Sequence, residues 1–239
     1  SKDNINKNII IGIVSFLDEK KTELFYNFFN NNLKLFGSTE NLTESTSNLS
    51  IEKDNLDFEI LLENMISNND FLILHSNNVN NLEWKKNIAK YADQIIIIGN
   101  PEDLKTISKD EKEIFNNYSD INLEKIWLVI NHPKNIIVPS NTRELIKLRN
   151  GLKTFHIKNN HESDIKRIVR FITKQTIGLT LGGGGAKGFA HFGIYKAMNE
   201  LNIPVDIIGG TSAGSIVASQ IALGHSFKEI IDKNKQVNA

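Results

Sequence analysis

Four apolar runs mark the first two-thirds of the chain: Ile9 to Phe16, Phe71–Leu74, Ile95–Ile98 and Ile126–Ile130. They are short, rich in isoleucine, and largely apolar at consecutive positions. A strand covered on both faces reads this way, because the side chains on either side of its pleat meet other protein. Between the runs lie segments of helical length and mixed polarity, at about 19–35, 54–67, 82–91, 102–117 and 141–149. The clearest helix spans 163–174, where Ile165, Ile168, Val169 and Ile172 fall at i, i+3, i+4 and i+7. Ser163 or Asp164 is placed to cap it. Strands alternating with helices predict an α/β fold with a doubly wound, mostly parallel sheet.

The pattern changes near Gln175-Thr176. Of 15 glycines, only Gly12, Gly37, Gly99 and Gly151 precede residue 177, and eleven follow it. Ile177–Leu181 predicts a short strand that opens into the loop Gly182–Gly188. A helix follows, with Ile194, Ala197, Met198 and Leu201 on one face, and Asn202-Ile203-Pro204 ends it. Val205–Gly209 predicts a second strand, which runs into Gly210-Thr211-Ser212-Ala213-Gly214 and a second helix bearing Ile216, Val217, Gln220 and Ile221. Two regions are expected: 1–176, a Rossmann-like accessory α/β domain, and 177–239, a strand–helix–strand–helix unit.

Composition narrows the function classes. The 239 residues carry 28 basic and 28 acidic side chains, so there is no broad basic surface and nucleic acid is not an expected partner. With no cysteine, disulfides, thiolate metal sites and cysteine nucleophiles are excluded. The six histidines, at 75, 132, 156, 161, 191 and 225, show no metal-ligand spacing, and neither metal nor cofactor is expected. Apolar runs of four or five residues fall far short of the roughly 20 that span a bilayer. A cytoplasmic or peripherally membrane-associated protein is expected. The chain begins at Ser1 without a signal segment, and is read as a piece of something longer.

Asparagine is abundant and reads as coding bias with little folding information. A phosphate-binding loop needs glycines directly after the first strand. Here Ser15-Phe16-Leu17-Asp18-Glu19-Lys20-Lys21-Thr22 follows instead, without glycine and with two carboxylates that repel phosphate. A scaffold or regulatory domain is the expected reading of the first region.

The second region carries the chemistry. A serine at a sharp strand-to-helix turn projects its hydroxyl at the carboxyl edge of a sheet, and glycines two before and two after relieve the crowding. Gly210, Ser212 and Gly214 have that spacing at a predicted strand–helix junction. The plainer alternative is a tight turn with a capping serine. Gly183-Gly184-Gly185-Ala186-Lys187-Gly188 fits G-x-G-x-x-G, which reads either as a dinucleotide fingerprint or as an oxyanion hole of backbone N–H groups. The oxyanion reading is favoured, because the serine turn ends the very next strand and no acidic ribose partner does. Lys187 either stabilises developing charge or faces solvent. His191 is expected to pack or hydrogen-bond behind the loop. Phe189 and Phe192 are read as core, with an acyl channel as the alternative. Lys228, Lys233 and Lys235 form a basic cluster, read as a solvated face with contact to anionic lipid as the alternative.

The sequence Leu-Gly-Gly-Gly-Gly-Ala-Lys-Gly-Phe-Ala-His-Phe-Gly, followed by Ile-Gly-Gly-Thr-Ser-Ala-Gly-Ser, resembles the opening of a patatin-like phospholipase domain. Within that family it is most similar to bacterial relatives of neuropathy target esterase. The strong motifs cover about 177–224, and the likeness over 1–176 is architectural. The resemblance implies the N-terminal part of a patatin-like α/β hydrolase domain and a serine–aspartate dyad. Ser212 is then the nucleophile, Gly183, Gly184, Gly185 and Lys187 form the oxyanion hole, Gly188 is a loop glycine, and Gly210 and Gly214 are the elbow glycines. The implied substrate is a phospholipid or lysophospholipid. Peripheral membrane contact and a cyclic-nucleotide-binding module upstream in the parent protein are also implied. The family's aspartate belongs to an Asp-Gly motif downstream of the serine, and no Asp-Gly pair occurs here. The catalytic Asp is therefore expected beyond this chain, and the 239-residue piece is expected to be inert. The rival functions are a nucleotide- or phosphate-binding module and a non-catalytic interaction protein.

Overall fold

The computed structural model describes residues 8–46, 55–76, 81–118, 122–136, 138–185, 188 and 190–237. Two compact units divide the chain, Ser1–Lys174 and Gln175–Ala239.

In the first unit strands and helices alternate: β1 (Ile9–Ser15), α1 (Glu19–Leu33), β2 (Thr39–Leu42), α2 (Asn55–Asn68), β3 (Phe71–His75), α3 (Leu82–Tyr91), β4 (Gln94–Gly99), α4 (Lys109–Phe115), β5 (Ile126–His132), α5 (Arg143–Lys147), β6 (Lys153–Lys158) and α6 (Glu162–Ile172). The six strands form one parallel sheet in the order β2-β3-β1-β4-β5-β6. This is the doubly wound α/β architecture that the alternation predicts.

The isoleucine run of β4 shows why its strands lack a polar face. Ile95 and Ile97 enter a core shared with α2, α3, α4 and α5, while Ile96 and Ile98 enter another shared with α1 and α6. All four are fully buried, each contributing about 2 kcal/mol of apolar transfer energy. The chain leaves β1 toward β2 at one edge, then crosses back over β1 between β3 and β4. At the carboxyl ends of β1 and β3 the connections therefore part to opposite faces, which opens a crevice there.

Two strands have no apolar run to announce them. Of the residues of β2, only Leu42 is buried, and β6 alternates, burying only Phe155 and Ile157. Both are edge strands. The predicted helix over 102–117 shortens to α4, because the Ser108 hydroxyl accepts the Glu111 N–H at 3.0 Å and starts the helix there. The start of α6 also differs from expectation. His161 holds the cap position without a side-chain cap bond, and Asp164, inside the first turn, accepts the Lys158 N–H at 2.9 Å. Trp84 is fully buried and donates from Nε1 to the His75 carbonyl at 2.9 Å.

One polar knot lies inside the first unit. Arg149 is fully buried and grips Glu111 through Nε at 2.6 Å and Nη2 at 2.8 Å. Its Nη1 donates to the Leu104 and Leu145 carbonyls, and the Tyr118 hydroxyl donates to Glu111. The charge is buried because each of its donors finds a partner.

The second unit comprises β7 (Gly178–Leu181), α7 (Ala190–Glu200), β8 (Ile207–Gly210), α8 (Ala213–Ala222) and α9 (Phe227–Val237). β7 and β8 pair in parallel, with Leu181 opposite Gly210. A small core joins Leu181, Phe192, Val217, Ala218, Ile221 and Ile230. Among the described residues no helix is long and apolar enough to cross a membrane.

Candidate active site

β8 ends at Gly210 and α8 begins at Ala213, so Thr211 and Ser212 alone make the turn between them. Ser212 adopts φ 50° and ψ −127°, a backbone state that costs a non-glycine residue about 1–3 kcal/mol. Hydrogen bonds hold it there. Thr211 N–H donates to the Leu181 carbonyl at 3.0 Å, which ties the turn to the end of β7. Gly214 N–H donates to the Thr211 carbonyl at 3.0 Å. The Ser212 carbonyl accepts both the N–H and the hydroxyl of Ser215, at 2.9 and 2.6 Å.

The flanking glycines are there for clearance. A methyl group on Gly210 would lie 2.5 Å from the Gly214 carbonyl oxygen. One on Gly214 would collide with the Leu181 carbonyl oxygen and stand 2.6 Å from that of Gly182. The sharp turn thus needs bare backbone at both positions.

The Ser212 side chain is exposed and makes no capping hydrogen bond to α8. A capping serine would have extended backbone and would accept an N–H of the first turn. Ser212 does neither, so the plain-turn alternative loses its physical basis. Ser212 directly precedes the N-terminus of α8, where the helix dipole favours negative charge.

The glycine loop lies against this hydroxyl. A methyl group on Gly183 would sit 3.1 Å from Ser212 Cβ and 3.8 Å from its Oγ, and one on Gly188 would meet the Ala213 Cβ at 2.9 Å. Gly184 and Gly185 have φ of 149° and 54°. The loop and the serine turn therefore share one sheet edge, the juxtaposition that the oxyanion reading requires. Lys187 and Phe189 lie outside the described residues.

His191, on the first turn of α7, donates from Nε2 to the Gly182 carbonyl at 2.8 Å. Its Nδ1 is buried and has no hydrogen-bond partner among the described residues. The ring thus braces the back of the glycine loop. Phe192 belongs to the core. Lys228 is exposed on α9, and the side chains of Lys233 and Lys235 are outside the described residues.

Neither carboxylate that the sequence offers near the serine has the geometry of its base. Asp206 precedes β8 and accepts the Ile177 N–H at 3.0 Å, which fastens the opposite end of the β7–β8 pair. The four residues of β8 put about 13 Å between its ends. Asp232 is exposed on α9. Among the described residues no cluster of three His, Asp or Glu side chains is placed to hold a metal. The Ser215 hydroxyl bond is a feature that sequence reading missed. Its only signal was a second serine three positions after Ser212.

Comparison with known proteins converges on the same residues. The family described as patatin-like phospholipase matches residues 179–239. The human patatin-like phospholipase domain-containing protein 6 is 28% identical over 177 residues, covering 63% of this chain and 13% of that protein. Lysophospholipase NTE1 of Saccharomyces cerevisiae is 45% identical over 76 residues, covering 32% of this chain and 4% of that protein. Lysophospholipase NTE1 of Eremothecium gossypii is 53% identical over 62 residues, covering 26% of this chain and 4% of that protein. The chain thus spans a small fraction of each relative. The 177-residue alignment is longer than the second unit, so likeness to the human protein reaches into the first. Matched motif, strained serine and adjoining glycine loop coincide in the segment that matches the patatin-like phospholipase family, residues 179–239.

Proposed function

We propose that this chain carries the nucleophile and oxyanion hole of a serine esterase that cleaves acyl esters of phospholipids or lysophospholipids. The observation that carries the reading is Ser212 itself. It is held at φ 50°, exposed, uncapped, and beside Gly183. Relatives named phospholipase and lysophospholipase supply the substrate class.

In this reading Ser212 Oγ attacks the ester carbonyl carbon and gives its proton to an aspartate base. That aspartate is not one of the two in the second unit, and is contributed from outside these 239 residues. The carbonyl oxygen becomes an oxyanion and is met by backbone N–H groups of Gly183, Gly184 and Gly185, with Lys187 adding charge nearby. The glycerol-side oxygen takes up the proton and leaves, and Ser212 keeps the acyl group as an ester. Water, deprotonated by the same base, then releases the fatty acid. His191 keeps the loop in register by holding the Gly182 carbonyl. The substrate's location implies contact with a membrane surface.

The test is hydrolysis of a lysophospholipid by the complete protein and its Ser212→Ala variant. The expected loss is at least 1,000-fold in kcat, on the scale of losing a nucleophile (~10⁶). Hydrolysis that survives in the variant removes Ser212 from the chemistry. A complete protein that binds lysophospholipid without turning it over removes the esterase reading.

A further inference from the structure

The peptide between Gly182 and Gly183 stands where the glycine loop meets the serine turn. Its carbonyl oxygen accepts the His191 Nε2–H at 2.8 Å. The same oxygen passes so close to the elbow that a methyl group on Gly214 would lie 2.6 Å from it. At the other end of this peptide, Gly183 lies against the serine, where a methyl group would sit 3.1 Å from Ser212 Cβ. The bond from His191 therefore reaches a donor of the proposed oxyanion hole through a single peptide plane.

That plane can face either of two ways. A trans peptide carries its C=O and the following N–H on opposite sides, and among the described residues no peptide bond is cis. Turning the Gly182 carbonyl toward His191 turns the Gly183 N–H the other way. Half a turn of the plane would exchange the two and present a carbonyl oxygen in place of the donor. An oxyanion is repelled by a carbonyl oxygen and bound by an N–H. The torsions that govern this rotation are ψ of Gly182 and φ of Gly183, and neither residue has a Cβ to hinder it. A peptide between two glycines resists such a turn least, so the restraint has to come from a neighbour.

His191 is built to supply that restraint. Its ring is carried by the first turn of α7 and not by the loop. The next residue, Phe192, is buried in the small core and anchors that turn. A carbonyl only accepts, so the ring nitrogen facing it is the protonated one. Contact with Gly214 limits how near the carbonyl oxygen comes, whereas the hydrogen bond sets its direction.

We infer that His191 is a positioning residue, a role that rests on the esterase reading of Ser212 and deepens it. It keeps the Gly182–Gly183 peptide from turning over, so that the Gly183 N–H is in place before an ester arrives. It touches neither the substrate nor the reacting atoms. One net hydrogen bond sustains a population ratio of about tenfold, less than the 100-fold or more lost with an oxyanion donor itself.

The experiment is hydrolysis of p-nitrophenyl butyrate, an ester without a lipid headgroup, by the complete protein and its His191→Asn and His191→Gln variants. Fluorophosphonate labelling of Ser212 is followed in parallel. The Asn amide is too short to reach the carbonyl, while Gln places an N–H donor near the position of Nε2. The His191 side chain is half-buried at the edge of the unit, so neither change empties the core. His191→Asn is expected to lower kcat about tenfold and leave KM within about twofold, and His191→Gln to recover most of the loss. A kcat left intact by His191→Asn, a loss confined to KM, or a His191→Gln variant as slow as His191→Asn would overturn the role of His191 alone. An unsubstituted protein that neither hydrolyses the ester nor takes the label at Ser212 would overturn the esterase reading, and the role of His191 with it.

Discussion

The two units turn their chains by different means. In the first, six of the eight described non-glycine residues with positive φ are asparagines: Asn8, Asn116, Asn141, Asn150, Asn159 and Asn160. Asparagine tolerates the left-handed state because its short amide bonds locally to the backbone. In the second unit glycine takes over, and at Gly210 and Gly214 the need is clearance, since any side chain there meets neighbouring backbone. Burial differs as well. Every residue of β3 and β5 is buried, whereas only Leu181 is buried among the eight residues of β7 and β8. One unit fixes its shape by a two-faced core. The other presents bare backbone and a strained serine at one sheet edge. Among the described residues of the second unit, Ser212 is the one with positive φ that is neither asparagine nor glycine. Strain kept at that exposed position is what the proposed nucleophile role accounts for.

The comparison can be broken most forcefully in the buried ion pair. Arg149→Met leaves Glu111 charged and unpaired, and is expected to cost about 3–5 kcal/mol in the first unit, read by urea denaturation. Protection of α8 amides from hydrogen exchange should be unchanged. Loss of that protection would show that the second unit does not hold its own structure.

Acid should also act on the first unit. Burial lowers the His75 pKa to about 4. Burial, with His132 and Arg167 beside it, lowers that of His156 to about 4 as well. Their unfolded value is near 6.5, so between about 6.5 and 4 the unfolded chain binds protons that the folded one refuses. The stability these neutral rings hold is complete above pH 6.5 and declines as pH falls toward 4, by up to about 3 kcal/mol for His75. A melting temperature that is flat across this window, or one equally steep in His75→Phe, would contradict the assignment.

A smaller contrast separates clearance from composition. Gly214→Ala forces a methyl group against the carbonyls of Leu181 and Gly182 and is expected to cost about 1–3 kcal/mol. Gly193→Ala, in α7 with open space around it, should instead gain about 0.5–1 kcal/mol of helix propensity. Equal effects would mean that glycine in this unit serves only flexibility.

The parallel sheet was legible because burial on both faces erases strand alternation, leaving runs such as Ile95–Ile98. The edge strands β2 and β6 were not, since one of their faces or more stays polar. The asparagines were misread as silent, because a turn residue has no periodic signature. The Arg149–Glu111 pair joins positions 38 apart in sequence and appears only once α4 and α5 pack on the same face. The crevice arises in the same way, when the pairing of β1 with β3 sets Ile13 beside His75 and brings α1 over it. The serine turn was legible to the residue, because its glycines answer a local steric demand that only the immediate sequence can meet.

Covalent capture at that turn is the most direct test of all. A fluorophosphonate probe on the complete protein should modify one residue, Ser212, as mapped by peptide mass spectrometry, and should leave the Ser212→Ala variant unlabelled. Lipid-ester hydrolysis by a protein whose label falls on another serine, or that takes up no label, would contradict the account.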